Sequence, residues 1–295
     1  MPNAFELISV TRRFGETRAL DDVTLAVPTG HVVGLIGRNG GGKTTLLRHV
    51  VGLQLATTGE CRTLGRPTRD LGGAELSRIG FVPQEHRLLH WMTVWQHLDY
   101  VASFYENWDD ALRKRLQREL ELETDARVGT LSPGNVQKLA ILIAVCHRPD
   151  LLLLDEPVSA LDPIARGQLL TFFLELLREE RRTIVVSSHV LRDVEEIVDR
   201  VICLEKGRVV EDAAMDDLQE RYAEWVVSSA NGGLPDRFDE PFVVRQEIVG
   251  RQARLLVRDA AAHLEAFRGR HHAEVTVRPL NLERIFPLLV EGGAR

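Results

Sequence analysis

The segment Gly37-Arg-Asn-Gly-Gly-Gly-Lys-Thr-Thr45 constrains this chain more than any other stretch. It lies between the apolar run His31-Val-Val-Gly-Leu-Ile36 and the helix-like Leu46-Leu-Arg-His-Val-Val51. Gly37, Gly42, Lys43 and Thr44 fit the spacing of a glycine, four residues and Gly-Lys-Ser/Thr, in which backbone amides cradle phosphates. Gly40 and Gly41 keep Cβ atoms out of the space between those amides and a bound anion. A helix that starts here aims its free N–H groups and positive dipole end at the same place. Lys43 is then placed to reach β- and γ-phosphates, and the Thr44 hydroxyl to sit on Mg2+. The plainer alternative is a Gly-rich turn with no ligand; the strand, loop and helix in sequence favour the cradle.

The 295 residues are 44% hydrophobic and 27% charged, which suits one large α/β domain plus a smaller one. Net charge is −6 and Lys and Arg are dispersed, so no basic tail or stripe points to nucleic acid. Cys61, Cys146 and Cys203 lie far apart and read as reduced thiols rather than a disulfide frame or metal site. No apolar run nears the roughly 18 residues that cross a bilayer. The opening Met-Pro-Asn-Ala-Phe-Glu has neither the basic nor the apolar region of a secretory signal. The expected location is cytosolic.

Residues 5–10 and 22–27 alternate apolar and polar, as half-buried antiparallel strands do. Phe14, between them, reads from its surroundings as packed rather than as a platform for a base. Thr58–Leu64 reads as an edge strand, and Ile79–Gln84 as a buried strand whose end puts Gln84 at a ligand crevice, against a metal or its water. Residues 93–105, 109–122 and 132–147 carry helical spacing, with Leu112, Leu116 and Leu120 on one face. They predict a helical insertion over about 86–148. Its third helix opens Leu131-Ser-Pro-Gly-Asn135, with Ser132 as N-cap and Pro133 at the first helical position. A helix start of this kind is either simply well capped or also an anion site.

Leu151-Leu-Leu-Leu-Asp155-Glu156 reads as a buried strand delivering two acids at its C-terminal end. Asp155 would hold Mg2+ and Glu156 would orient or deprotonate an attacking water. A helix over 164–180 leads to the strand Thr183–Ser188, from whose end His189 can donate to a γ-phosphate oxygen. Residues 200–210 predict a hairpin turning at Lys206-Gly207. From about 216 a small α+β domain follows, with turn residues such as Asn231-Gly-Gly233 and a closing helix capped by Asn281. Pro287 is expected to leave that last helix short or kinked.

Taken in order, GRNGGGKTT, Gln84, LSPGN, LLLLDEP, Ser159-Ala-Leu-Asp162 and His189 resemble the nucleotide-binding subunit of ATP-binding cassette (ABC) transporters, over residues 5–212. The resemblance implies an α/β P-loop NTPase of the ABC cassette type, with an antiparallel β subdomain and a helical insertion. The cassette would occupy 1–215 and a small α+β accessory domain 216–295. It implies Mg2+ and ATP, bound by Phe14 on the adenine and by Gly37, Arg38, Asn39, Gly40, Gly41, Gly42, Lys43, Thr44 and Thr45 around the phosphates. Thr44, Gln84 and Asp155 match the metal positions; Glu156, His189, Lys43 and Gln84 match the hydrolytic ones. Ser132, Gly134 and Asp162 match residues that act across a head-to-tail dimer of two cassettes, so the implied partners are a second copy and an integral membrane subunit.

The signature, usually Leu-Ser-Gly-Gly-Gln, stands here as Leu-Ser-Pro-Gly-Asn. Pro133 removes an N–H that has no partner inside the helix in any case. Phe104-Tyr-Glu-Asn-Trp-Asp109 and Asn281-Leu-Glu-Arg-Ile-Phe286 resemble the exporter-type branch, whose membrane subunit is a separate chain and whose cassette sits on the inner face of the cell membrane. Glu85–Met92 is expected to form the groove for that subunit. The competing reading is a soluble cassette ATPase acting on ribosomes or DNA, against which stand the single cassette and the negative charge.

Overall fold

Strands rich in Val, Ile and Leu with no polar alternation are buried on both faces, and four such runs set the frame of this protein. In the computed structural model, which describes residues 2–158, 161–179, 182–229 and 234–292, they are β3 (Val32–Ile36), β6 (Ile79–Val82), β7 (Leu151–Asp155) and β8 (Thr183–Ser188). With the hairpin β9 (Arg200–Glu205) and β10 (Arg208–Ala214) they form a six-stranded sheet in the order β10-β9-β3-β8-β7-β6. The β6-β7, β7-β8, β8-β3 and β3-β9 pairs are all parallel. The hairpin turns where expected: Lys206 and Gly207 both have positive φ, 49° and 78°, as a two-residue primed turn demands.

A second, four-stranded antiparallel sheet runs β2-β1-β4-β5 from β1 (Asn3–Phe14), β2 (Thr17–Pro28), β4 (Thr58–Thr63) and the two-residue β5 (Arg66–Pro67). Thr58–Leu64 is therefore not an edge strand, as its sequence suggests, because β5 pairs with its outer side. Nothing in the composition of Arg66-Pro67 signals a strand, and Pro is tolerated there because β5 is the edge. Leu7, Val10, Leu20 and Val23 of this sheet share one core with Val33, Leu35, Leu153, Val185 and Ile202 of the other, with Leu46, Leu47 and Val50 of α1 (Lys43–Val50) among them.

After the one-turn α2 (Gly73–Leu76), the insertion between β6 and β7 contains α3 (Val94–Ala102), α4 (Asp110–Glu119) and α5 (Pro133–Val145). Leu112, Leu116 and Leu120 are buried as their spacing requires. Phe104–Asp109 anchors the insertion. Tyr105 stacks on His147 with ring centroids 4.2 Å apart, and Asp109 accepts from Leu112 N at 2.8 Å and Arg148 Nε at 2.6 Å. The sheet continues through α6 (Pro163–Glu179) and α7 (Leu191–Glu195). Ser159, Ala160, Glu180 and Asn231–Gly233 lie outside the described residues.

The chain divides into two compact units, residues 1–211 and 212–295. The second holds α8 (Met215–Arg221), β11 (Tyr222–Ser229), β12 (Val243–Val249), β13 (Gln252–Arg258), α9 (Ala260–His271), β14 (Ala273–Pro279) and α10 (Leu282–Gly292), with sheet order β12-β13-β11-β14. Its core is Trp225 against Phe242 and Phe267. Asn281 caps α10 through Arg284 N at 3.1 Å. Pro287 does not end this helix early: it continues to Gly292, held by the buried Leu282, Ile285, Leu288 and Leu289, whose burial outweighs the one backbone bond that a proline removes.

Gly80 of β6 marks where α5 meets the sheet, since a Cβ there would stand 2.3 Å from the Ala144 carbonyl oxygen and 2.8 Å from Leu152 Cδ1. Gly80→Ala is expected to destabilise the first unit by about 1–3 kcal/mol, read as a lower urea midpoint. An unchanged midpoint would contradict this packing.

Candidate active site

The Gly37–Gly42 turn is built by close approach of backbones. A Cβ on Gly37 (φ 154°) would lie 2.1 Å from the Leu204 carbonyl oxygen at the end of β9, and one on Gly42 (φ 109°) 2.5 Å from that of Ala19. Only glycine fits these positions. The turn opens α1, whose first residue, Lys43, donates its Nζ to the carbonyls of Gly37 at 2.8 Å and Arg38 at 3.3 Å.

A cleft of about 530 Å3 lies over this turn. Asn39, Gly40, Gly41, Gly42, Lys43, Thr44 and Thr45 line its floor. Phe14 and Ala19 line it from the antiparallel sheet, and Gln84, Glu156 and His189 from the ends of the parallel strands. Phe14 is 46% exposed rather than packed, with the Arg12 guanidinium 4.6 Å from its ring centroid. Exposure of a large ring beside a polar cleft suits stacking on a flat ligand.

Glu156 is held on several sides. Its backbone stands in the left-handed region at φ 54°, a strained conformation for glutamate, and its N–H is taken by the Ser187 hydroxyl at 3.0 Å. Its carboxylate accepts from His189 Nδ1 at 2.7 Å and His189 N at 3.3 Å, and lies 3.8 Å from Lys43 Nζ. Both Lys43 and Glu156 are almost entirely buried, so their attraction is little screened by solvent. Ser187 also donates to Asp155 Oδ1 at 2.6 Å. Asp155 is 1% exposed and its Oδ2 has no hydrogen-bond partner among the described residues. Asp155 immediately precedes Glu156, which lines the cleft; a bare buried carboxylate oxygen, a Thr44 hydroxyl and a Gln84 amide are the kinds of oxygen donor that suit a hard cation such as Mg2+.

The other expected residues are not part of the cleft wall. Gly37 and Arg38 serve it through their carbonyls on Lys43. Ser132 caps α5, accepting from Asn135 N at 3.3 Å, with Gly134 the second residue of that helix. Asp162 caps α6: its carboxylate accepts from Ala165 N at 3.0 Å and Ile164 N at 2.9 Å. The Ala165 amide first, and the Ile164 amide after it, hold its carboxyl below the usual range. Sequence reasoning passed over Ser187, whose hydroxyl joins the two acids, although it stands in the polar triplet that ends β8. It also passed over Ala19 and Leu204, which act through backbone atoms and so leave no side-chain signal.

Comparison with known proteins gives one consistent result. A family model described as ABC transporter matches residues 20–159. The Nod factor export ATP-binding protein I of Rhizobium sp. (strain N33) is 30% identical over 291 residues, 96% of this chain and 95% of that protein. The phosphonates import ATP-binding protein PhnC of Frankia casuarinae is 36% identical over 238 residues, 75% of this chain and 94% of that protein. Among solved structures, a dimeric ATP-binding cassette in a post-hydrolysis state bound to ADP and Pi superposes with a TM-score of 0.64 at 27% identity, covering 72% of this chain and 98% of that one.

Ser187→Ala would leave Asp155 buried with neither oxygen paired among the described residues. The expected cost is about 1–3 kcal/mol, measured by urea unfolding; a wild-type midpoint would mean that the hydroxyl holds neither acid.

Proposed function

Because the chain belongs to the ATP-binding subunits of ABC transporters and is an ATPase, we propose that two copies close on two molecules of MgATP and power export through a separate membrane subunit. The observation that carries this is the placement of Glu156, in a phosphate-loop cleft, between Lys43 and His189. The same cleft lacks Ser132 and Gly134, which supports a site completed by a second chain.

The residues divide the work as follows. Phe14 stacks on the adenine, and the amides of the turn bind the phosphates. Lys43 exchanges the Gly37 and Arg38 carbonyls for β- and γ-phosphate oxygens, which carry more negative charge. Mg2+, held by Thr44 and Asp155 with Gln84 on its water, would neutralise phosphate charge. Glu156, freed from Lys43, orients the attacking water and accepts its proton. His189 donates from Nδ1 to Glu156, so a neutral ring presents Nε2 as an acceptor. Donation to a γ-phosphate oxygen from Nε2 therefore requires the imidazolium or the other tautomer.

Among the described residues no helix is long and apolar enough to cross a membrane, which supports a peripheral subunit on the inner membrane face. Leu88 and Leu89 are half-buried and Trp91 is 68% exposed. Beside them lies a cavity of about 570 Å3 lined by Leu53, Phe81, Pro83 and Glu85–Leu88, suited to a partner helix. Export rather than import is supported by the alignment with the Nod factor export protein, which extends over both units of this chain.

Glu156→Gln is expected to lower ATP turnover by at least about 100-fold while ATP binding persists, measured by phosphate release and equilibrium binding; wild-type turnover would sink the assignment. Trp91→Ala is expected to weaken retention on membranes that hold the partner subunit by about tenfold. Unchanged retention would remove Trp91 from that interface.

A further inference from the structure

β6 ends at Val82, and Pro83 has no N–H with which to extend the ladder. Residues 84–88 then run from the nucleotide cleft, which Gln84 lines, to the adjoining cavity, which His86 lines. Among the described residues these five make no backbone hydrogen bond. The one side-chain hydrogen bond that they make among the described residues is from His86 Nε2 to Gln137 Oε1, at 2.6 Å. Gln137 belongs to α5, the helix that Ser132 caps, and is only 3% exposed. The remaining polar atoms of the pair, His86 Nδ1 and Gln137 Nε2, are buried without partners among the described residues. Neither side chain has a second bond to fall back on, so each depends on the other.

The loop that carries Gln84 is thus fastened to α5 at a single point two residues away. Two residues of chain span at most about 7 Å, so a displacement of α5 at Gln137 reaches Gln84 with little slack. The same link works in reverse, since linkage between two positions is reciprocal. We propose that His86 and Gln137 are positioning residues for Gln84: their hydrogen bond sets where Gln84 stands in the cleft and ties that position to α5. The inference rests on the ATPase reading above and adds to it a specific pair of side chains.

The test is steady-state ATP hydrolysis by the full-length protein carrying His86→Ala, His86→Gln, Gln137→Ala or the double alanine change. Losing one buried hydrogen bond that orients Gln84 should lower kcat about fivefold to tenfold and leave KM for ATP within about twofold. His86→Gln, whose amide nitrogen can donate to Gln137 Oε1, should restore most of kcat. The double variant should be no slower than the slower single one, because both changes break the same bond. Urea midpoints of all four variants, measured alongside, separate loss of position from loss of fold. An unchanged kcat in His86→Ala, a multiplicative loss in the double variant, or no rescue by His86→Gln would overturn the proposal. If the wild-type chain itself fails to hydrolyse ATP, it is the broader reading that has failed.

Discussion

The close approach of the Gly37–Gly42 turn to the end of β9 is the constraint on which the site depends. With the Leu204 carbonyl 2.1 Å from where a Cβ on Gly37 would be, the turn is pressed onto the end of β9. That contact requires β9 beside β3, which the sheet order β9-β3-β8-β7-β6 supplies. The same order brings the ends of β8, β7 and β6 to the turn, and so delivers His189, Glu156 and Gln84 to one crevice, with Ser187 bonded to both Asp155 and Glu156. Parallel strands need long crossover connections; between β6 and β7 this is the helical insertion, whose α5 is bonded through Gln137 to His86 on the loop that carries Gln84.

Charge is concentrated where water is least able to screen it. Lys43, Asp155 and Glu156 are all nearly buried, and each is costly unless paired. Glu156 is paired with Lys43 and His189, and among the described residues Asp155 is paired through one oxygen only. The bare oxygen and the strained backbone of Glu156 are the two places where local stability is given up. Glu156 lines the cleft where the proposed chemistry occurs, in keeping with the tendency of strain to cluster at functional sites.

Much of this was readable from residue order because the features in question are carried by side-chain type and spacing. Apolar runs without alternation mark β3, β7 and β8, period-two alternation marks β1 and β2, and the glycine spacing marks the turn. What was not readable acts through the backbone or between distant segments. β5 is two residues long and exists only because β4 offers it an edge. Leu204 and Ala19 contribute carbonyls, Ser187 acts across the boundary between two strands, and His86 finds Gln137 some fifty positions away. α10 passes through Pro287 because its buried face decides the outcome, and the helix-breaking preference of one residue does not.

The central claim is that the cleft of one chain is half of an ATP site, completed by Leu131–Asn135 of a second copy. The most direct measurement is the specific rate of ATP hydrolysis by the purified full-length protein as a function of its concentration, at saturating MgATP. A shared site predicts a specific rate that rises with protein concentration and levels off as the dimer becomes fully populated. A substantial specific rate that stays constant down to concentrations at which sedimentation shows only monomer would contradict it, because each chain would then hold a complete site.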